Sequence, residues 1–131
     1  MSDAILPLGK LPPELLAQLV AQIPSSDPRV LLGPGVGLDC AVIDTGAPSL
    51  LVLKTEPITF VSAEIGWYGV QVGANDIATT GAVPRWYMTA LLLPQGQTTP
   101  RLVEEILNQI NAACAPLGIT VVGGHTEITH G

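Results

Sequence analysis

Four short segments of this chain join acids to glycines, amides or hydroxyls: Gly35-Val36-Gly37-Leu38-Asp39, Lys54-Thr55-Glu56-Pro57, Asn75-Asp76-Ile77-Ala78 and Gly123-Gly124-His125-Thr126-Glu127. Asp and Glu supply the hard oxygen ligands that Mg²⁺ takes. Glycine lets backbone N–H groups approach phosphate oxygens with no Cβ in between. Each segment falls at the edge of a strand or helix pattern, so carboxylates from separate elements can converge on one Mg²⁺-bound polyphosphate. The chemistry implied is nucleotide binding. No Ser-His-Asp or Cys-His arrangement is legible, so a nucleophilic side chain is not expected.

The elements that must position these groups alternate between helical and extended patterns. Leu15, Leu16, Leu19, Val20 and Ile23 form a stripe of helical period behind Pro12 and Pro13, and the helix is expected to end near Ile23 and Pro24. Residues 25–28 and the glycine-rich 33–37 read as loops. Residues 40–43 and 50–54 read as short strands joined by Asp44-Thr45-Gly46-Ala47-Pro48, a hairpin or meander. A second helix is expected over 63–80, with Ser62 as N-cap and Gly81 as C-cap, burying Trp67, Val70, Ala74, Ile77 and Ala78. Gly69 and Gly73 each weaken that helix by up to ~1 kcal/mol relative to Ala, which predicts close packing against them. Residues 85–93 read as a long strand and 94–98 as a turn. Thr99-Pro100 caps a third helix with the stripe Leu102, Val103, Ile106, Leu107, Ile110, Ala113, Cys114 and Leu117. Gly118 ends it, and a strand over 119–122 leads into Gly123. The order is α-β-β-α-β-α-β, with no internal repeat.

Composition narrows the function classes. At 131 residues the chain fits one domain able to bury its own core. Apolar residues make up 47%, yet their runs are short, and none approaches the ~20 residues of a membrane span. The N-terminus carries Asp3 and lacks the pattern of a signal peptide, which points to the cytoplasm. Cys40 and Cys114 are too few and too far apart for a metal or redox motif and read as reduced core thiols. Eleven acids against five bases argue against nucleic acid as a partner, because Lys10, Arg29, Lys54, Arg85 and Arg101 are scattered. An anionic nucleotide then requires a divalent cation to offset repulsion from an acidic site.

The run Gly73-Ala74-Asn75-Asp76-Ile77-Ala78-Thr79-Thr80-Gly81-Ala82-Val83-Pro84 resembles the Asn/Ser-Asp-Ile/Leu-Ala-x-x-Gly-Ala-x-Pro helix of the aminoimidazole ribonucleotide (AIR) synthetase superfamily, N-terminal domain. Thiamine-monophosphate kinase, selenophosphate synthetase, formylglycinamidine ribonucleotide synthetase and a hydrogenase maturation protein are relatives. The resemblance covers roughly residues 30–128. It implies an α+β domain, a mixed β-sheet with helices on one face, and sheets that pair into a barrel-like homodimer through the strand bearing Arg85, Trp86, Tyr87 and Met88.

The resemblance also implies ATP and Mg²⁺ as cofactors and a small-molecule substrate. Asp39 matches the acid after the family's glycine-rich loop, Glu56 the aspartate of its Thr-Thr-Asp or Lys-Thr-Asp segment, and Asp76 the metal-binding aspartate. Asn75 is a hydrogen-bonding neighbour. Gly123-Gly124-His125-Thr126 looks like Gly-Gly-Asp/Glu-Thr, with His125 in place of the acid and Glu127 as its compensation. The implied metal ligands are therefore Asp39, Glu56, Asp76 and Glu127. The implied nucleotide contacts are Gly35, Gly37, Asn75, Gly123, Gly124, His125 and Thr126. Full-length relatives add a C-terminal domain that is absent from this sequence. The expectation is a fragment, an engineered piece or a separately encoded half that binds nucleotide without turnover alone, with a separate C-terminal domain as a partner. A non-catalytic dimerisation or regulatory module is the alternative. A hydrogenase maturation role would need a C-terminal cysteine where Gly131 stands.

Plainer readings compete at each position. Gly35 and Gly37 could simply form a turn, Asp39 could cap a loop, and His125 could hydrogen-bond in a turn. Lys54 could steer a phosphate but reads better as a surface charge at a strand end. Asp76 is hardest to set aside, since an unpaired carboxylate in an apolar helix is costly to bury.

Overall fold

The structure is a computed structural model that describes residues 5–24, 26–59 and 63–130. The chain forms two compact units, Met1–Leu53 and Lys54–Gly131. Elements follow in the order α1 (Pro13–Val20), β1 (Val30–Leu32), β2 (Cys40–Ile43), β3 (Leu51–Lys54), α2 (Ile65–Thr79), β4 (Trp86–Pro94), α3 (Pro100–Leu117) and β5 (Thr120–Thr129). The class is α+β, as expected. The single mixed sheet is not seen: the strands form a three-stranded sheet, β1-β2-β3, and a two-stranded sheet, β4-β5.

In the first unit, α1 starts with Pro13 at its first turn, where the missing N–H costs nothing. It ends at Val20 rather than Ile23, because Gln22 and Ile23 donate to Leu19 and Val20 in tighter i to i+3 bonds. None of its residues is fully buried; Leu15, Leu16 and Val20 are half-buried, while Leu19 and Ile23 are exposed. Strand β1 lay unread between two loop signals, being only three residues long. It pairs antiparallel with β2, Val30 opposite Ile43 and Leu32 opposite Val42, with a register shift between. Asp44 Oδ1 accepts from the Gly46 amide at 2.8 Å and shapes the turn after β2.

The second unit carries the larger core. Val70, Leu93, Ile106, Ile110, Ala113, Cys114 and Ile119 are buried together. Full burial of an aliphatic side chain such as Val70 or Ile110 is worth about 1.5–3 kcal/mol, so these residues hold α2, α3 and β4 in place. Thr99 caps α3 by accepting from the Leu102 amide at 3.2 Å, Pro100 follows at the first position, and Gly118 closes the helix with φ +65°. The stripe predicted for α3 is right at Ile106, Ile110, Ala113 and Cys114, whereas Leu107 and Leu117 remain exposed.

Helix α2 begins at Ile65, after Glu64 in a left-handed conformation, and Gly81 follows its end with φ +82°. The proposed cap Ser62 lies outside the described residues. Its buried residues are Gly66 and Val70, with Ala74 packed against the core, while Trp67 and Ala78 are exposed. The helix is therefore turned so that Gly66, not a large residue, meets α3. Close packing also holds at Gly69, where a Cβ would fall 2.9 Å from the Tyr87 hydroxyl, but not at Gly73, which faces open space.

Strands β4 and β5 are parallel, with Trp86 beside Thr120 and Pro94 beside Thr129. Tyr87, Leu91 and Leu93 face the helices. Trp86, Met88 and Leu92 alternate with them onto an opposite face that is uncovered, at 64%, 72% and 65% exposure. Strand β5 runs well past 122, so Gly123-Gly124-His125-Thr126-Glu127 lies inside a strand and not in a loop beyond one. Glycine fits this place: at Gly124 a Cβ would run into the Thr89 carbonyl oxygen, and Gly123, with φ +154°, sits where the register shifts. Among the described residues, no helix is long and apolar enough to cross a membrane.

Candidate functional site

The end of β3 delivers Lys54 to two of the acids singled out in the sequence. Its Nζ lies 2.9 Å from Glu56 Oε2 and 2.9 Å from Asp76 Oδ2. Glu56 comes from the segment just after the strand, and Asp76 from the last turns of α2. The Lys54 side chain is only 6% exposed, against 35% for Glu56 and 28% for Asp76. Lys54 is thus no surface charge. Its alternation in a four-residue strand gave no hint of this, but the Lys-Thr-Glu spacing places both charges on one face of an extended chain.

Burial taken alone pushes the Lys54 ammonium down, and the hydrogen bonds and charges of Glu56 and Asp76 outweigh it, so its pKa stands above the ordinary lysine value. The ammonium stays charged throughout the physiological range. Two carboxylate oxygens thereby face one cationic point. Among the described residues, no group of three or more His, Cys, Asp or Glu side chains gathers to hold a metal ion.

The other singled-out residues take different places. Asn75 is exposed beside Asp76 on α2. Gly35 and Gly37 belong to a turn in the first unit: Leu38 donates to the Gly35 carbonyl at 3.3 Å, and Gly37 takes φ +77°, which favours glycine. Asp39 follows that turn, immediately before β2. Glu127 pairs with His125 across 3.4 Å on β5, both side chains well exposed. The register sets His125 beside Ala90 and Glu127 beside Leu92, on the uncovered face of the β4-β5 sheet. Thr126, beside Leu91, alternates to the other face.

A buried lysine thus clasps a strand-end glutamate and a helical aspartate in an α+β domain that carries a parallel β4-α3-β5 unit. The chain belongs to the family of AIR synthase related proteins, N-terminal domain, whose model matches residues 37–131. It is 25% identical over 122 residues to the selenide, water dikinase of Photobacterium profundum, covering 89% of this chain and 35% of that protein. It is 30% identical over 111 residues to the phosphoribosylformylglycinamidine synthase subunit PurL of Brucella ovis, covering 80% of this chain and 15% of that one. The chain therefore spans about a third or less of the length of these relatives. Among solved structures, AaThiL complexed with AMPPCP and TMP is similar in fold, with a TM-score of 0.65 and 21% identity over 88% of this chain and 36% of that one. Thiamine monophosphate kinase from Aquifex aeolicus gives a TM-score of 0.55 at 21% identity, covering 88% of this chain and 37% of that one.

Proposed function

We propose that this chain is the Mg²⁺-dependent ATP-binding portion of an AIR synthase-related enzyme that activates a carbonyl, carboxamide or phosphate oxygen by phosphoryl transfer. The observation that carries this reading is the gathering of Glu56 and Asp76, from two separate elements, around the Lys54 ammonium, whose Nζ lies 2.9 Å from each. Two hard carboxylates brought side by side from separate elements suit Mg²⁺, which takes one or two carboxylates and completes its shell with water and substrate phosphates. The residues present fit that mode. The similar fold of a protein complexed with AMPPCP, an analogue of ATP, supports the nucleotide.

In this reading Asp76 and Glu56 hold the metal, and Asn75 hydrogen-bonds beside them. Gly123, Gly124, His125 and Thr126 offer a further contact to the nucleotide. Mg²⁺, when bound, neutralises charge on the phosphates. The chain's own residues position the nucleotide and supply no nucleophile, as phosphoryl transfer allows. The acceptor is a small molecule held with the help of a C-terminal domain, and the setting is cytoplasmic, in keeping with the buried thiols Cys40 and Cys114.

Calorimetric titration of ATP with and without Mg²⁺ tests the reading. Binding that needs Mg²⁺ and is lost in Asp76→Asn supports it; equal binding without metal, or by the variant, overturns it. A second reading, a dimerisation module that has kept the fold, is favoured by the uncovered face bearing Trp86, Met88 and Leu92. Mg²⁺-dependent ATP binding separates it from the first.

A further inference from the structure

His125 and Glu127 stand two positions apart on β5, the spacing that puts side chains on one face of a strand. Nε2 of His125 lies 3.4 Å from Oε2 of Glu127, and the two side chains are 70% and 58% exposed. That separation is long for an N–H···O bond, which spans roughly 2.7–3.2 Å, and an ion pair so exposed adds little to stability. It does match the edge of a metal site. Zn²⁺ takes imidazole nitrogen at about 2.0–2.1 Å and carboxylate oxygen at about 2.0–2.2 Å, so two ligands of a tetrahedron stand about 3.3–3.5 Å apart. An octahedral ion with ligands at about 2.0–2.1 Å, such as Mg²⁺, would draw its neighbouring donors to about 2.9 Å. Imidazole suits Zn²⁺, Ni²⁺ and Cu²⁺, whereas Mg²⁺ takes oxygen.

The backbone holds the pair in this posture. Gly124 lies against the Thr89 carbonyl where no Cβ fits, and from there the register with β4 runs unbroken to Pro94 and Thr129. The β4 neighbours are Ala90 beside His125 and Leu92 beside Glu127, and neither carries a charge to compete for the carboxylate. We propose that His125 and Glu127 form a two-donor chelate for a divalent transition-metal ion of the Zn²⁺ type, with the remaining positions open to water or to an anionic oxygen. The family resemblance offers Glu127 to Mg²⁺; the imidazole nitrogen and the 3.4 Å spacing turn the pair toward a different ion. The inference goes beyond the nucleotide reading and uses none of Lys54, Glu56 and Asp76. Among the described residues, no third His, Cys, Asp or Glu gathers with the pair, so the ion is held more weakly than in a four-ligand structural zinc site.

Zn²⁺ titration of the full isotope-labelled chain, followed by nuclear magnetic resonance at the imidazole signals of His125 and His130, tests the proposal. The His125 signals are expected to move and saturate at Zn²⁺ concentrations at least about tenfold below those that move His130, and Mg²⁺ in the same range is expected to leave them in place. Glu127→Gln keeps the shape of the side chain without its charge, and the position is exposed, so the variant should fold. It is expected to weaken Zn²⁺ at His125 by at least about tenfold, since even the loss of an outer-shell partner costs a metal site that much. Equal responses of His125 and His130, equal responses to Zn²⁺ and Mg²⁺, or an unaltered Zn²⁺ affinity in Glu127→Gln would each reduce His125 to an ordinary surface imidazole and overturn the proposal. Because no nucleotide enters this measurement, failure of the ATP reading shows separately, as an absence of Mg²⁺-dependent ATP binding in calorimetry.

Discussion

Gly66 of α2 lies directly on the backbone of α3: its amide donates to Gln109 Oε1 at 3.0 Å, and a Cβ there would fall 2.5 Å from the Ile106 carbonyl oxygen. No flexible side-chain end is available to yield, since the obstacle is backbone. The contact fixes how closely the two helices approach, and α2 is the helix that carries Asp76.

Gly66→Ala is therefore expected to destabilise the chain by about 1–3 kcal/mol, as overpacking does, despite the better helix propensity of alanine. Gly73→Ala, in the same helix but facing open space, is expected to be neutral or to gain up to ~1 kcal/mol. Urea denaturation of the two variants side by side checks this; a stable Gly66→Ala would mean that the helices are not in this contact.

The uncovered face of β4-β5 leads to a prediction about association. Parallel sheets ordinarily have both faces covered, and this one exposes Trp86, Met88 and Leu92 on one side. If a second copy covers it, the parent chain sediments as a dimer and Leu92→Glu as a monomer. A parent chain that remains monomeric at high concentration would falsify the assignment of this face to self-association.

Asp27 offers a prediction about pH. Arg29 donates to it from Nε and from a terminal guanidinium nitrogen, at 3.0 and 2.6 Å, and its backbone amide donates to Oδ1 at 3.0 Å. These side-chain and backbone hydrogen bonds lower the Asp27 carboxyl to about 2. A carboxyl depressed in the folded state contributes stability above its ordinary pKa of about 3.9 and loses it as pH falls through the folded value. The carboxyl carbon shift of Asp27 is expected to titrate near the lower value, and to return toward the ordinary one in Arg29→Gln. An unaltered titration in that variant would rule the pairing out. The contribution is small and salt-sensitive because the pair is exposed.

The elements were legible where a local signal was strong. Thr99, Pro100 and Gly118 marked both ends of α3, and its apolar period named the four residues that are buried. Rotation of α2 was not legible, because its contact residue is Gly66 and a glycine leaves no trace in a hydrophobic pattern. The same limit hid the length of β5: Gly123 and Gly124 look like a loop in sequence, yet they lie in the strand because the Thr89 carbonyl leaves no space for a Cβ at 124. At the candidate site, Glu56 and Asp76 were singled out from their motifs. Lys54 was misjudged because its partners lie 2 and 22 positions away, and a single strand-end charge does not disclose what the next helix will bring to it.

The chain has two tryptophans, and both look outward: Trp67, 43% exposed, rests edge-on against Tyr68, and Trp86 stands on the bare side of β4. Its intrinsic fluorescence consequently reports on the outside of the molecule. Emission from the isolated chain is expected to lie toward the red, as for indoles in contact with water, and to respond weakly when the core around Val70 and Ile110 melts, whereas anything settling over β4 is expected to shift Trp86 to the blue. A fluorometer would thus register the arrival of a companion more sensitively than the loss of the fold.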